Sequence, residues 1–256
     1  MPKPRCVNCG YEAPTITEKC PGCGENYLVE PGPQPYNPTP STNKLIIFDL
    51  DGVLVHASRE GLFEAYKAMI TFLHKDYRVF FRTLEEFLDW WTPDWEDTLK
   101  RMGVPEARKE EMNKIFYAVE NKHSYILPWV QYLLVDLSEK YRLAICSNRH
   151  KYSVLKFFSN SMIKYFDVVV GAGTVKNLKP DPEGINYIMQ ETGVGIENTL
   201  MIGDMPDDIE AAIRAGVSVA NVIWEHGLGT DSDFEKHADY LHCTLRSEDD
   251  FFNLEF

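Results

Sequence analysis

Leu45-Ile46-Ile47-Phe48-Asp49-Leu50-Asp51-Gly52-Val53-Leu54 is the stretch on which the reading of the fold turns. Its first part is an unbroken apolar run that ends in an acidic turn closed by glycine. A run this short with no polar alternation fits a strand covered on both faces, as in a parallel sheet. The pattern recurs at Leu143-Ala144-Ile145-Cys146, Val168-Val169-Val170, Leu200-Met201-Ile202 and Val217-Ser218-Val219-Ala220-Asn221-Val222. Amphipathic segments lie between these runs, among them Trp129 to Glu139 and Asp208 to Ala215, the latter stopped by Gly216. Strand and helix alternating in this way predict an α/β protein with a doubly wound, Rossmann-like parallel sheet.

Polar clusters stand where these strands should end. Asp49 and Asp51 follow the first, and Ser147-Asn148-Arg149 the second. Lys179-Pro180-Asp181-Pro182 precedes a predicted helix at Glu183, and Gly203-Asp204-Met205-Pro206-Asp207-Asp208 follows the fourth strand. Several carboxylates converging on one sheet edge repel one another and call for a cation between them. Oxygen ligands with open positions suit Mg²⁺, which keeps waters and contacts phosphate. The Ser147 hydroxyl and the Lys179 ammonium supply donors for phosphoryl oxygens. A carboxylate can attack phosphorus, and a second one nearby can protonate the leaving oxygen and then activate water. An aspartate after a strand is also a common helix N-cap, so the weight rests on all four clusters occurring together and in order.

In that order they resemble the four motifs of the haloacid dehalogenase superfamily, over the chain from Lys44 to about Cys243. The resemblance implies that Asp49 is the nucleophile and a metal ligand. It makes Asp51 the general acid and base, with its backbone carbonyl also on the metal. Ser147, Asn148 (through its backbone) and Lys179 would bind the phosphoryl group. Asp204 would ligate Mg²⁺ directly, and Asp208 would be the second acid of the metal site, acting through water or Lys179. Asp207 matches no family position and reads as a helix N-cap or first-turn residue. Family members that cleave carbon–halogen bonds lack the second aspartate, so Asp51 favours phosphatases and phosphomutases. The implied reaction is Mg²⁺-dependent hydrolysis of a small phosphate monoester through an aspartyl-phosphate.

From about Arg59 to Ser124 no strand-like run occurs. Helical spacing appears instead at Leu62, Tyr66, Met69 and Leu73, at Leu84, Phe87, Leu88 and Trp91, and at Met112, Ile115, Phe116 and Val119. Gly103-Val104-Pro105 separates two of these helices, with Pro105 suited to a first turn. Inserted after the first strand, residues 59–124 would lie over the carboxyl edge of the sheet, resembling the helical cap of one subclass of the superfamily. No motif for holding a second phosphate stands out there, which places a phosphomutase behind a phosphatase. Trp90, Trp91 and Trp95 read as cap core or cap–sheet interface. His56 and Arg149 could each face substrate or occupy a solvated hinge.

The amino-terminal part has a different chemistry. Cys6-Val7-Asn8-Cys9 and Cys20-Pro21-Gly22-Cys23 have the paired spacing of a four-thiolate zinc site, each pair followed by glycine. Residues 1–26 resemble a rubredoxin-like zinc ribbon, with iron in the same cage as the alternative. Folding of so small a module would depend on its metal, Zn²⁺ binding being worth about 10–16 kcal/mol in comparable peptides. The proline-rich residues 27–43 form a linker, and residues 44–58 with 125–256 the catalytic core.

Of the 256 residues, 44% are hydrophobic and 25% charged, and the net charge is −13. That balance fits a globular chain and opposes a nucleic-acid-coating role. No long apolar run marks a membrane span, and Met1 to Arg5 lead into cysteines rather than a signal peptide, so a cytoplasmic location is expected. Charges around the cysteine pairs are balanced, which favours protein contact or self-association through the ribbon. A nucleic-acid end phosphatase guided by the ribbon is the alternative function. Cys146, at a buried strand end, reads as packing.

Overall fold

The computed structural model describes residues 40–92 and 95–256. The predicted zinc ligands Cys6, Cys9, Cys20 and Cys23, and most of the proline-rich linker, lie outside the described residues.

Six parallel strands form one sheet in the order β3-β2-β1-β4-β5-β6. They are β1 (Leu45–Phe48), β2 (Arg142–His150), β3 (Val168–Ala172), β4 (Thr199–Gly203), β5 (Ser218–Val222) and β6 (Leu241–Leu245). Side chains alternate across β1, and both faces are covered. Ile46 and Phe48 join one core, Leu45 and Ile47 the other. This is why the strand reads as continuously apolar. Each such side chain contributes about 1.5–3 kcal/mol when fully buried.

Between β1 and the helix that precedes β2 lie four helices of the insertion: α1 (Arg59–Phe72), α2 (Leu84–Trp90), α3 (Trp95–Met102) and α4 (Lys109–Glu120). They carry a separate core built on Tyr66, Met69, Ile70, Phe81, Phe87, Leu99 and Met112, against which Trp90, Trp91 and Trp95 pack. The Trp91 indole donates to the Tyr66 hydroxyl at 3.2 Å. Pro105 is the N-cap of a short 3-10 turn, Glu106–Arg108, that leads into α4, rather than the first residue of a helix.

Beyond β2 come α6 (Lys151–Lys156) and α7 (Asn160–Ile163). α8 (Glu183–Thr192) and α9 (Pro206–Ala215) follow, then α10 (Asp231–Phe234) and α11 (Glu248–Phe252). With α5 (Val130–Lys140), which precedes β2, they cover the sheet: α5, α6 and α11 supply one core, α8 and α9 the other. The structure confirms the glycine stop of α9, since Gly216 takes the left-handed conformation at φ 76°. Asp207 lies in the first turn of α9, whose N-cap is Met205.

Two features differ from the sequence reading. β2 continues past Cys146 through His150, and its register with β3 shifts over that stretch. A sixth strand, β6, extends the sheet edge beside β5. Among the described residues no helix is long and apolar enough to cross a membrane.

The chain crosses between the sheet and the helical insertion twice, and the crossings run side by side. Val55 and Ile126 form an antiparallel bridge, His56 N–H donates to Tyr125 O at 2.8 Å, and Leu127 N–H donates to Leu54 O at 3.0 Å. His56 also meets His226 across 3.3 Å between their Nδ1 atoms.

Candidate active site

The strand order reverses between β1 and β4. From β1 the chain winds outward through β2 and β3, then returns to place β4 on the other side of β1. A doubly wound sheet opens a crevice at the carboxyl ends of such a pair. Phe48 is in register with Ile202, so Asp49 and Asp204 leave neighbouring strands at that crevice. Asp49 N–H donates to Ile202 O at 2.8 Å, which keeps the first residue of the turn on the ladder.

Asp49, Asp204 and Asp208 are all buried, and their carboxylate oxygens approach within 4.8 Å of one another. Burial first, then the charges of Asp208 and Asp51, push the Asp49 carboxyl up to about 7 against the pull of Lys179. Burial and the charges of Asp49 and Asp208 raise Asp204 well above the usual carboxylate range. Asp204 Oδ2 accepts the Leu228 N–H at 2.8 Å, while its Oδ1 is buried with no hydrogen-bond partner. An acceptor left bare among carboxylates is where a hard cation fits. The donor set is all oxygen, as Mg²⁺ requires.

Gly52 makes this approach possible. It has φ 76°, and a Cβ there would stand 2.0 Å from Asp204 Oδ2. Its carbonyl accepts the Trp224 indole N–H at 2.6 Å. The loop after β5, carrying Trp224 and Leu228, thus supports both acidic turns. The sequence reading did not single these two residues out, since a backbone donor and an indole in a loop carry no motif of their own.

Lys179 is the buried cation of the cluster. Its ammonium donates to Asp49 Oδ1 at 2.6 Å and to Asp208 Oδ1 at 2.5 Å. Burial alone would depress Lys179, but Asp208 and Asp49 outweigh it and hold the ammonium charged well above its usual range. Asp208 Oδ2 accepts the Met205 N–H at 3.0 Å, so Asp208 is fixed from both ends and reaches Asp49 through Lys179. Lys179 itself lies in the loop between β3 and α8 rather than directly at a strand end.

Ser147 and Asn148 come from the end of β2. The buried Ser147 hydroxyl accepts Arg149 N–H at 3.1 Å, which leaves its own proton to donate. Asn148 acts on Lys179 through its side chain, donating to Lys179 O and accepting Lys179 N–H, both at 2.9 Å. Asp51, two residues beyond Asp49, pairs with Arg149, and Arg149 is buried rather than solvated. Cys146 lies beneath the site, its thiol raised to about 12 by burial first, in keeping with a packing role.

Residues 46–222 match the family of haloacid dehalogenase-like hydrolases. A protein of Listeria welshimeri named pyrophosphatase PpaX is 33% identical over 218 residues, which cover 80% of this chain and 97% of that one. The phosphoglycolate phosphatase of Aquifex aeolicus is 28% identical over 198 residues, 71% of this chain and 85% of its own. A haloacid dehalogenase-like family hydrolase from Streptococcus pneumoniae superposes with a TM-score of 0.62 at 21% identity, covering 79% of this chain and 93% of the other.

Proposed function

We propose, from the premise that the chain belongs to the haloacid dehalogenase-like hydrolases, that Asp49 is the nucleophile of a phosphatase acting on a small phosphate compound. The observation that carries this reading is the Asp49 carboxylate itself. It is buried at the crevice, held by Lys179 at 2.6 Å, and placed beside a bare Asp204 oxygen.

An Asp49 oxygen attacks phosphorus and the bond to the leaving oxygen breaks, giving an aspartyl-phosphate. Asp51 gives its proton to the leaving oxygen, then takes one from the water that attacks phosphorus and frees Asp49. Lys179 and the Ser147 hydroxyl hold the phosphoryl oxygens as charge shifts onto them. Asp204 and Asp49, with the Asp51 carbonyl, would hold Mg²⁺, and Asp208 would support that site through Lys179. The ion, when bound, neutralises carboxylate and phosphate charge. The helical insertion serves as a cap that closes over the substrate.

The leading substrate is a small phosphate monoester. Inorganic pyrophosphate is a second reading, favoured by the Listeria pyrophosphatase, which this chain matches over 97% of that protein's length. Parallel assays of pyrophosphate, phosphoglycolate and phosphorylated oligonucleotide ends, with and without Mg²⁺, decide between them. Turnover of the oligonucleotide alone would replace both readings with a nucleic-acid end phosphatase, and transfer of phosphate within a sugar phosphate would indicate a mutase. Activity unaffected by Mg²⁺ removal would overturn the metal assignment.

The four amino-terminal cysteines we read as zinc ligands on the strength of their spacing, with contact to protein as the module's role. Elemental analysis of the dialysed chain should find about one zinc held by the four thiolates. Its absence would remove the ribbon.

A further inference from the structure

Arg149 connects the helical insertion to the sheet edge. Its guanidinium has five N–H groups in a rigid fork, and each finds an acceptor. On the sheet side, Nε donates to Asp51 Oδ2 at 2.9 Å and Nη2 to Asp51 Oδ1 at 2.5 Å. On the insertion side, Nη2 donates to Glu120 Oε1 at 3.0 Å, and Nη1 to Glu120 Oε2 and Asn121 Oδ1, both at 2.8 Å. The guanidinium also lies 5.2 Å from the ring centre of Tyr117 on α4 and 5.1 Å from that of Phe157. Glu120 and Arg149 are both buried, whereas the Asp51 side chain is 30% exposed at the mouth of the crevice.

Glu120 ends α4, and Asn121 is its C-cap. The second crossing between insertion and sheet begins there. Any displacement of the insertion relative to the sheet therefore carries the acceptors on one side of Arg149 away from Asp51 on the other.

We infer that Arg149 is a positioning residue for Asp51, orienting its carboxylate according to where the helical insertion, through Glu120 and Asn121, holds the guanidinium. The inference rests on the assignment of proton transfer to Asp51. A bidentate pair fixes the plane of the carboxylate, and each oxygen keeps a second lone-pair site away from the fork. Without the fork, a partly exposed aspartate samples rotamers in which neither oxygen lies in line with the leaving group, and alignment is a large part of what such a group contributes. A lysine keeps the charge but carries its three donors on one atom, with no planar fork to hold both oxygens of Asp51 and both of Glu120.

The test uses the full chain with Mg²⁺ and two aryl esters of similar size, p-nitrophenyl phosphate and phenyl phosphate. The second has the poorer leaving group and needs the proton more. Single-turnover rates of phosphoryl transfer to Asp49 are measured for Arg149→Gln, Arg149→Lys, Glu120→Gln, the Arg149→Gln/Glu120→Gln pair, and Asp51→Asn as the reference. Arg149→Gln should slow phenyl phosphate about tenfold more than p-nitrophenyl phosphate, a part of the roughly 10²–10⁴-fold that general acid catalysis supplies. Arg149→Lys should not restore the ratio. Glu120→Gln should shift it in the same direction, and the double variant should be no worse than Arg149→Gln, because coupled residues are not additive. Equal losses on both esters in Arg149→Gln and Glu120→Gln, with Asp51→Asn still discriminating, would reduce Arg149 to a structural bolt and overturn the inference alone. Equal losses in Asp51→Asn itself would overturn the general-acid assignment and the inference with it. If Arg149→Gln does not fold, the milder Glu120→Gln decides by the same ratio.

Discussion

The side chain of Asn148 and the backbone of Lys179 hold each other reciprocally, with Lys179 N–H donating to Asn148 Oδ1 and Asn148 Nδ2 donating to Lys179 O, both at 2.9 Å. Asn148 follows Ser147 at the end of β2, and Lys179 sits in the loop before α8. This pair ties the end of β2 and the loop before α8, two elements from different parts of the chain, into one unit.

Asn148→Ala should therefore act on Lys179 more than on stability. Losing two ordinary hydrogen bonds at a partly exposed position costs about 1–3 kcal/mol of folding free energy, at about 0.5–1.5 kcal/mol each. The mis-set ammonium should lower kcat by about tenfold or more, since small displacements of positioning groups are costly. Urea unfolding and steady-state kinetics on the same preparation check this. A variant with full kcat would show that Lys179 is positioned by Asp49 and Asp208 alone.

Lys179→Met removes the cation from between two buried carboxylates. Leaving buried charge unpaired typically costs about 3–5 kcal/mol, and the phosphoryl oxygens lose a donor as well. Activity should fall to background, and the urea midpoint should drop at neutral pH. The drop should shrink under mildly acidic conditions, where protonation relieves Asp49 of its charge. A midpoint loss independent of pH would argue that the side chain's packing, not its charge, is what counts.

Metal and proton should compete at Asp49. Its carboxyl is raised from the ordinary 3.8 to about 7, and Asp204 is raised too. Between those values the folded chain keeps a proton that the unfolded chain has released, so stability from Asp49 is full below about pH 4. It is lost as the pH rises through about 7. A cation that binds the ionised carboxylates restores what is lost. Mg²⁺ should therefore raise the melting temperature more at about pH 8 than at about pH 5.5, as thermal melts with and without the ion would show. Equal shifts at both pH values would mean that the ion binds elsewhere.

Much of this was legible in the sequence because its cause is local. A strand buried on both faces must be apolar throughout, so β1 and β4 announced themselves, and with them the turns that carry Asp49 and Asp204. The polar clusters, taken in order, then pointed Ser147, Asn148 and Lys179 to the same edge. What was not legible depends on partners distant in sequence. Leu241-His242-Cys243-Thr244-Leu245 forms an edge strand with only partial burial, so it lacks a continuous apolar run. β2 runs on through polar Ser147, Asn148, Arg149 and His150, which read as a loop. Helix α3 combines a strong apolar stripe with charges on its other side, yet it is too short to separate from the segments around it. Arg149 was open between substrate contact and a solvated hinge. Its burial comes from Glu120 and Asn121, nearly thirty positions away, and no local spacing marks such a pairing.

The central claim is that phosphate passes through a covalent bond to Asp49, and the most direct measurement is chemical. The enzyme is quenched in acid during turnover of labelled substrate with Mg²⁺, digested, and its peptides are mapped for a phosphoryl group. Label should appear on the peptide carrying Asp49 and nowhere else, should turn over when unlabelled substrate is added, and should be absent from a folded Asp49→Asn variant that has lost its activity. Rapid turnover with no phosphoryl group on Asp49 at any quench time, together with substantial activity in Asp49→Asn, would contradict it.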